Sequence, residues 1–317
     1  MQRAKYTVVL RNLFLSAAVL CMVMLAAGTV LAEEFKFVSM ADSRSNGEPI
    51  GINKPILDKI VANAVGDEPE FVLFQGDMVL GSKKDLNVFK KQLDNFRAAM
   101  KPLTDRVPIY FSFGNHECTT QAHVDILKKT FDNPATLSGK YNKLAYSFDH
   151  KGSHFICLTT NLPDENNNLT NEQLNWLEGD LKMSMSADHV FVFGHSPAYP
   201  VGGHIGSSLD KYPSQRDKFW SLLNKYRVDA YFCGHEHLFD RQKINNVFQI
   251  INGSCGAPIR TKIGRGGTEN YSGSFFQHVL IEVSGPDVTF SVYDENKKLR
   301  DKFRLSRRVL NEMHGGE

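Results

Sequence analysis

The chain has 317 residues, of which 42% are apolar and 23% charged, and it contains 24 glycines and 12 prolines. This composition is ordinary for a globular protein and excludes collagen-like, low-complexity and charge-driven disordered chains. The first 32 residues hold three of the 37 lysines and arginines, so the remainder carries 34 basic against 35 acidic residues and lacks the positive excess typical of nucleic-acid partners.

Residues 1–32 carry the pattern of an export signal. Three basic residues precede an apolar stretch, Leu13–Leu31, and the small residue Ala32 follows it at a suitable cleavage position. The alternative is an uncleaved membrane anchor, because the stretch is close to the roughly 20 residues that span a bilayer. We expect residues 33–317 to be secreted or periplasmic in the first case, and anchored facing outside in the second.

Short runs of β-branched and aromatic residues predict five buried strands in the first part of this domain. They are Phe35–Met40, Phe71–Gln75, Ile109–Phe113, Val190–Phe193 and Ala230–Cys233. Apolar residues at helical spacing predict helices between them. These are Asn53–Val65, Asp85–Met100, a helix that Thr170 caps with Gln173 and a helix that Ser214 caps. Strands alternating with helices indicate an α/β sheet.

From Val247 onward the pattern is strand after strand, which predicts antiparallel strands that finish a second sheet. No linker rich in proline, glycine or serine divides the chain, and it has no internal repeat. We therefore predict a single domain, 33–317, in which two packed sheets have helices outside. No pattern predicts an oligomeric state.

The five early strands each run into a residue type that binds metal ions. The residues are Asp42, Asp77, Asn115, His195 and His235, with His237 two positions further on. Because ligands bind beyond the carboxyl ends of strands in α/β sheets, these side chains are expected to meet at one place. Carboxylate, amide and imidazole ligands suit Zn, Mn or Fe. Two ions fit this set best, since a carboxylate such as Asp77 can bridge them, and a two-metal centre predicts hydrolytic phosphoryl chemistry.

Four motifs follow the segment ADSR in a fixed order, and together they identify a resemblance. They are GDMV (Gly76–Val79), GNHE (Gly114–Glu117), GHSP (Gly194–Pro197) and GHEH (Gly234–His237). This set resembles the calcineurin-like metallophosphoesterases, which include the purple acid phosphatases. The resemblance implies a four-layer sandwich of two mixed β-sheets flanked by helices, with a dinuclear site of Fe, Zn or Mn at one edge.

The resemblance also implies roles for individual residues. Asp77 would bridge both ions, Asn115, His195 and His235 would complete the second ion's shell, and Asp42 and His237 would hold the first. His116 matches the histidine that stabilises or protonates the leaving oxygen. A metal-held hydroxide would attack phosphorus directly in a small phosphate ester, without a covalent enzyme intermediate. Whether the ester is a monoester or a diester is left open by the motifs.

One residue departs from the family pattern. Arg44 stands where the first motif usually has a histidine ligand, and a guanidinium cannot replace an imidazole as a ligand. Arg44 either binds the substrate phosphate or pairs with a neighbouring carboxylate. The alternative to an active phosphoesterase is therefore a catalytically impaired protein that binds metal or phosphate.

A glycine-rich stretch after the third motif, Val201–Ser208, has the composition of a loop over the metal site. His204 lies in this stretch and Tyr199 just before it, so both are candidate substrate contacts. The alternative for both residues is ordinary loop composition without a role in binding.

Overall fold

The computed structural model describes residues 34–47, 50–264 and 266–307. The segment 1–32, for which the sequence predicts an export signal or an anchor, lies outside these residues. Across the described ranges, none of the helices combines the length and the apolar character needed to cross a bilayer.

The first part of the domain alternates strands and helices. Its elements are β1 (Glu34–Met40), α1 (Lys54–Gly66), β2 (Phe71–Gln75), α2 (Leu86–Thr104), β3 (Ile109–Ser112), α3 (Gln121–Thr130), β4 (Tyr146–His150), β5 (Ser153–Cys157), α4 (Asn171–Met183), β6 (His189–Phe193), α5 (Pro213–Lys225) and β7 (Ala230–Cys233). The predicted strands and helices are all present, and the hairpin β4–β5 and helix α3 are additional.

The second part is built from strands. These are β8 (Phe239–Ile244), β9 (Val247–Asn252), β10 (Thr268–Gly273), β11 (Gln277–Ser284), β12 (Asp287–Asp294) and β13 (Leu299–Ser306).

Within the described residues the strands form two mixed sheets. The first has the order β13-β12-β11-β1-β2-β3 and the second the order β10-β8-β9-β7-β6-β5-β4. Strands β1, β2 and β3 run parallel, as do β5, β6, β7 and β9. This arrangement confirms the predicted fold class.

The predicted place of the last strands was wrong. Strands β11 to β13 extend the first sheet, because β11 pairs antiparallel with β1, Phe35 lying opposite Val283. The second sheet is completed by β8, β9 and β10 instead, and β9 joins β7 in parallel. The free edge of β1 accepts β11 because β2 occupies only its other side.

Aromatic side chains fill the space between the two sheets. Phe37 is fully buried, and its ring centroid lies 5.1 Å from Phe71, 5.4 Å from Phe155, 5.5 Å from Phe191 and 6.0 Å from Phe232. Removing one such ring by substitution to alanine costs about 3–5 kcal/mol in a typical core. Separate apolar clusters join helices α1 to α3 to the first sheet, and helices α4 and α5 to the second, which gives four layers.

Two of the helix caps differ from their predictions. Thr170 caps α4 by accepting a hydrogen bond from the Gln173 amide, as predicted, but the Gln173 side chain bonds the backbone of Thr159 rather than closing a capping box. Ser214 is not a cap, because α5 begins one residue earlier at Pro213 and Tyr212 precedes it. Proline is well suited to the first helical position, since it has no N–H to leave unpaired.

Candidate metal centre

Two groups of ligand atoms lie side by side beyond the strand ends. Asp42, Asp77 and His237 form the first group, and Asp77, His195 and His235 form the second. Within each group one ligand atom from each residue lies within 4.8 Å of the others, and all five residues are buried. Asp77 belongs to both groups, so its carboxylate is placed to bridge two ions.

The two sheets contribute different ligands. Asp42 and Asp77 follow β1 and β2 of the first sheet, whereas His195 and His235 follow β6 and β7 of the second. Asn115, after β3, places its Oδ1 3.2 Å from His195 Nε2 and so adds an amide oxygen beside the second group. The centre therefore lies across the junction between the sheets.

Backbone carbonyls orient the three imidazoles. His195 Nδ1 lies 2.7 Å from the Gln75 oxygen and His237 Nδ1 lies 3.1 Å from the Pro258 oxygen. Because a carbonyl only accepts, Nδ1 carries the proton in both rings and Nε2 is left as the ligand atom. His235 bonds the Ser207 oxygen through Nε2, at 3.1 Å, which leaves its Nδ1 as the ligand atom.

Close packing explains why glycines precede these ligands. A Cβ on Gly114 would lie 2.2 Å from Asp77 Oδ1, and a Cβ on Gly234 would lie 2.2 Å from Asp42 Oδ2. Among Gly76, Gly114 and Gly234, only Gly76 has a left-handed backbone, with φ of 80°. Glycine at position 76 is therefore explained by its backbone conformation, whereas Gly114 and Gly234 are explained by the space that a side chain would take.

Three of the ligand residues themselves have left-handed backbones. The φ angles are 60° at Asp42, 49° at Asp77 and 69° at His235. Residues with a Cβ adopt this region at a cost of about 1–3 kcal/mol each. Such strain is concentrated at functional sites, where the surrounding structure holds it in place.

The charges of the centre suit cations. Burial and the Asp77 carboxylate raise the pKa of Asp42 well above its ordinary value, and Asp42 Oδ1 has no hydrogen-bond partner among the described residues. Burial opposes ionisation of Asp77 as well, but the nearby histidines, led by His195, lower its pKa. Burial lowers the pKa of His195, His235 and His237, the last to about 3. Metal ions would neutralise the negative charge of the two closely spaced buried carboxylates and would bind the neutral imidazoles as well. These residues therefore fit a dinuclear centre.

The side chains of His116 and Arg44 flank the bridging carboxylate of Asp77. His116 Nε2 lies 3.9 Å from Asp77 Oδ2, and its Nδ1 bonds the Leu80 oxygen at 2.6 Å. Arg44 Nε lies 3.8 Å from the same Oδ2 atom, and Arg44 Nη2 lies 3.4 Å from His237 Nε2. The His116 side chain is 25% exposed, so it is open to a molecule that approaches from solvent.

The two candidate substrate contacts, His204 and Tyr199, lie in different surroundings. The His204 ring lies over His235, with centroids 4.0 Å apart, and burial lowers the pKa of His204 to about 4, with Arg260 adding to the effect. The Tyr199 ring instead packs edge-on against Trp220, 5.0 Å between centroids, and beneath the Arg216 guanidinium. The contacts of Tyr199 therefore give no support to a role in substrate binding.

Two buried glutamates of the motifs were not singled out from the sequence. Glu117 accepts hydrogen bonds from the backbone amides of Asp77, Gly114 and Val79 at 2.9, 3.0 and 3.1 Å, and burial and the Asp77 carboxylate raise its pKa to about 8. Glu117 therefore ties the loop after β2 to the loop after β3.

Glu236 binds the backbone of the glycine-rich loop Val201–Ser208 in a similar way. Its Oε1 accepts hydrogen bonds from the amides of Gly202 and His204, at 3.0 and 3.1 Å. The available signal was the acidic residue inside each motif, GNHE and GHEH, although nothing in the spacing shows which amides it meets.

Comparison with known proteins agrees with the geometry. The family model for calcineurin-like phosphoesterases matches residues 51–239, a range that begins after Asp42 and Arg44. Purple acid phosphatase 23 of Arabidopsis thaliana is 34% identical over 56% of this chain and 38% of its own length. Fe(3+)-Zn(2+) purple acid phosphatase 12 of the same plant is 26% identical over 71% of this chain and 48% of its own.

A solved structure supports the fold. Purple acid phosphatase PPD1 from yellow lupin seeds superposes with a TM-score of 0.71 at 18% identity, covering 87% of this chain and 54% of that protein. The chain spans less than half of the length of the two curated relatives described above. The family model covers more than half of the chain, its range includes Asp77, Asn115, His195, His235 and His237, and these residues converge in space. The chain therefore belongs to the calcineurin-like phosphoesterase family.

Proposed function

We propose that this chain is a metal-dependent phosphoesterase that hydrolyses small phosphate monoesters or diesters. The observation that carries the proposal is the pair of ligand groups that share Asp77. Their nitrogen and oxygen donors are those that Fe, Zn and Mn accept. A relative whose name states an Fe(3+)-Zn(2+) centre supports the same assignment.

The chain's own residues would divide the work as follows. Asp42, Asp77 and His237 would hold one ion, and Asp77, Asn115, His195 and His235 the other. When bound, a two-metal centre polarises the phosphoryl group, lowers the pKa of a water molecule and stabilises the entering and leaving oxygens of an in-line displacement.

Residues outside the ligand groups would act on the substrate. Because His116 Nδ1 bonds a carbonyl, its Nε2 is the nitrogen that can carry a proton to the leaving oxygen. Arg44, on the other side of the Asp77 carboxylate, would place positive charge near the phosphoryl oxygens. His204, over the face of His235, would border the pocket for the leaving group.

The first test is hydrolysis of p-nitrophenyl phosphate and bis-p-nitrophenyl phosphate with added Mn, Zn or Fe, together with metal content per chain. We expect about two ions per chain and turnover, and the ratio of the two rates assigns the ester class. Bound metal without turnover on either ester under any supplement would favour the binding protein over the enzyme.

Two substitutions separate the roles. Asp77→Asn removes the shared ligand and should abolish turnover with loss of metal. His116→Ala should retain metal and lower turnover by about 10²–10⁴, the usual contribution of a general acid. His150→Ala is the matched control, because His150 is 29% exposed and lies at the opposite end of the strands, against Phe35 and Phe71. Loss of metal in His116→Ala, or an unchanged rate, would contradict the assignment.

The proposal includes export. The apolar stretch Leu13–Leu31 behind a basic flank supports cleavage near Ala32, with a retained anchor as the alternative. Cell fractionation followed by N-terminal sequencing distinguishes them: a soluble extracytoplasmic chain that begins near Glu33 supports cleavage, and an intact chain in the membrane fraction supports the anchor. An intact chain in the cytoplasm would contradict both.

A further inference from the structure

Arg44 lies inside the first ligand group. Its Nη2 is 3.4 Å from His237 Nε2, and its Nε is 3.8 Å from Asp77 Oδ2. These two atoms belong to two of the three residues that would hold the first ion. Asp77 is shared with the second group, so the contact with His237 is what assigns the guanidinium to the first group; among the described residues, neither His195 nor His235 hydrogen-bonds to an arginine or lysine.

The backbone fixes Arg44 in this position. The Arg44 backbone amide donates to the backbone carbonyl oxygen of Asp77 at 3.2 Å, and Arg44 forms an isolated antiparallel β-bridge with Ile52. The side chain is only 12% exposed, so it does not extend freely into solvent. A permanent positive charge is therefore held at one half of the centre.

The polar atoms around Arg44 are incompletely paired. Neither Arg44 Nε nor Asp42 Oδ1 finds a hydrogen-bond partner within the part of the chain that the structure describes. A buried guanidinium nitrogen and a buried carboxylate oxygen normally satisfy each other or a third group. Unpaired atoms on both sides of the first group indicate that a further species, an ion or a phosphoryl oxygen, completes it.

We propose that Arg44 makes the two metal positions unequal, with the second group binding its ion tightly and the first binding its ion much more weakly. The proposal rests on the metal centre of the proposed function. At limiting metal the protein then holds one ion, and the Arg44 guanidinium supplies positive charge where the other ion would be. Like charges that compete for the same carboxylate disfavour each other, which is the physical reason for the difference.

The test is a titration of the metal-free full chain with Mn²⁺, in which electron paramagnetic resonance measures the free ion. We expect two binding steps in the unmodified protein, separated by at least about tenfold in dissociation constant. Arg44→Gln removes the charge and should tighten the weaker step about tenfold or more, with little change in the stronger step. Arg44→His supplies an imidazole in place of the charge and should tighten the weaker step further.

Two further variants make the result specific. Arg260→Gln is the matched control. Arg260 is exposed beside Gly203 of the loop Val201–Ser208, and its charge also lowers the pKa of His237. This variant should change the weaker step far less than Arg44→Gln. His237→Ala removes a ligand of the first group alone, and it should abolish the weaker step while the stronger step remains.

Equal affinities in the unmodified protein, no effect of Arg44→Gln, or an equal effect of Arg260→Gln would each overturn the proposal. This experiment measures metal binding and not turnover, so it can fail or succeed independently of the proposed phosphoesterase function. The protein could bind the two ions unequally, respond to Arg44→Gln as expected and hydrolyse neither ester. That result would refute the proposed enzymatic activity and support the inequality of the two metal positions.

Discussion

Glu117 offers a direct test of how the site is held together, because one carboxylate serves three backbone amides. Its Oε2 accepts from the amides of Asp77 and Gly114, and its Oε1 accepts from Val79. In Glu117→Gln the amide oxygen can keep the two bonds at the Oε2 position, while the NH₂ group faces the N–H of Val79. One buried donor is left unpaired, at a cost of about 1–3 kcal/mol.

Glu117→Ala would leave all three donors unpaired, at a cost on the order of 3–9 kcal/mol by the same reasoning. A typical domain has a free energy of unfolding of about 5–15 kcal/mol in total, so the alanine variant risks not folding and Glu117→Gln is the informative change. Because the loop that carries Asp77 is also loosened, we expect Glu117→Gln to bind metal less tightly.

The assay is urea unfolding of the metal-free protein at pH 6, below the pKa of Glu117 of about 8, where the neutral carboxyl can still accept from the Val79 amide and the glutamine NH₂ group cannot. Because the pKa of Glu117 is raised in the folded protein, the folded chain holds a proton between about pH 4.5 and pH 8 that the unfolded chain releases, and wild type loses stability as the pH rises through this range. Glu117→Gln carries no such proton, so its deficit relative to wild type should shrink from pH 6 to pH 9. Glu68→Gln, on an exposed glutamate, is the control. A Glu117→Gln variant within about 0.5 kcal/mol of wild type at pH 6, with unchanged metal affinity, would refute the reasoning.

Two further predictions concern the metal centre and a remote cluster. Gly234→Ala would place a Cβ 2.2 Å from Asp42 Oδ2 and push that carboxylate aside, so elemental analysis should find the first ion lost and the second retained; retention of both would contradict the packing argument. Burial lowers the pKa of His278, whose Nε2 lies 2.7 Å from Asp67 Oδ2. Below about pH 6.5 the unfolded chain therefore binds a proton at this histidine that the folded chain does not bind, and the free energy of unfolding decreases on acidification. Urea unfolding at pH 7.5 and 5.5 should show a smaller loss in His278→Gln than in wild type, and an equal loss would exclude this contribution.

The convergence of the candidate ligand residues was predictable from the sequence because the signal is local. Each of Asp77, His195 and His235 directly follows a glycine at the end of a short buried strand, and the carboxyl ends of such strands meet at one edge. The role of Glu117 was not predictable, since its partner amides include residues 38 and 40 positions away. A hydrogen bond to a distant backbone leaves no pattern in composition or spacing.

The order of the strands in the two sheets could not be predicted for a similar reason. The pairing of Phe35 with Val283 joins the two ends of the domain, and local patterns do not show which free edge a strand will take. The hairpin β4–β5, in contrast, had a usable signal. Lys151 and Gly152 form a two-residue turn with φ of 43° and 72°, and a dipeptide that ends in glycine between two runs containing aromatic residues is a hairpin signal.

The origin of the ligands in different sheets gives the metal ions a mechanical consequence. The first sheet supplies Asp42 and Asp77, the second supplies His195, His235 and His237, and the four cysteines in the described part of the chain are free thiols. Ions held by both sheets would therefore fasten them together at one edge, while the phenylalanine layer joins them along their faces. Each ion that binds only the folded chain adds stability that grows with its concentration relative to its dissociation constant. Removing the ions would accordingly open this edge first, and the two sheets would begin to part where the ligands meet.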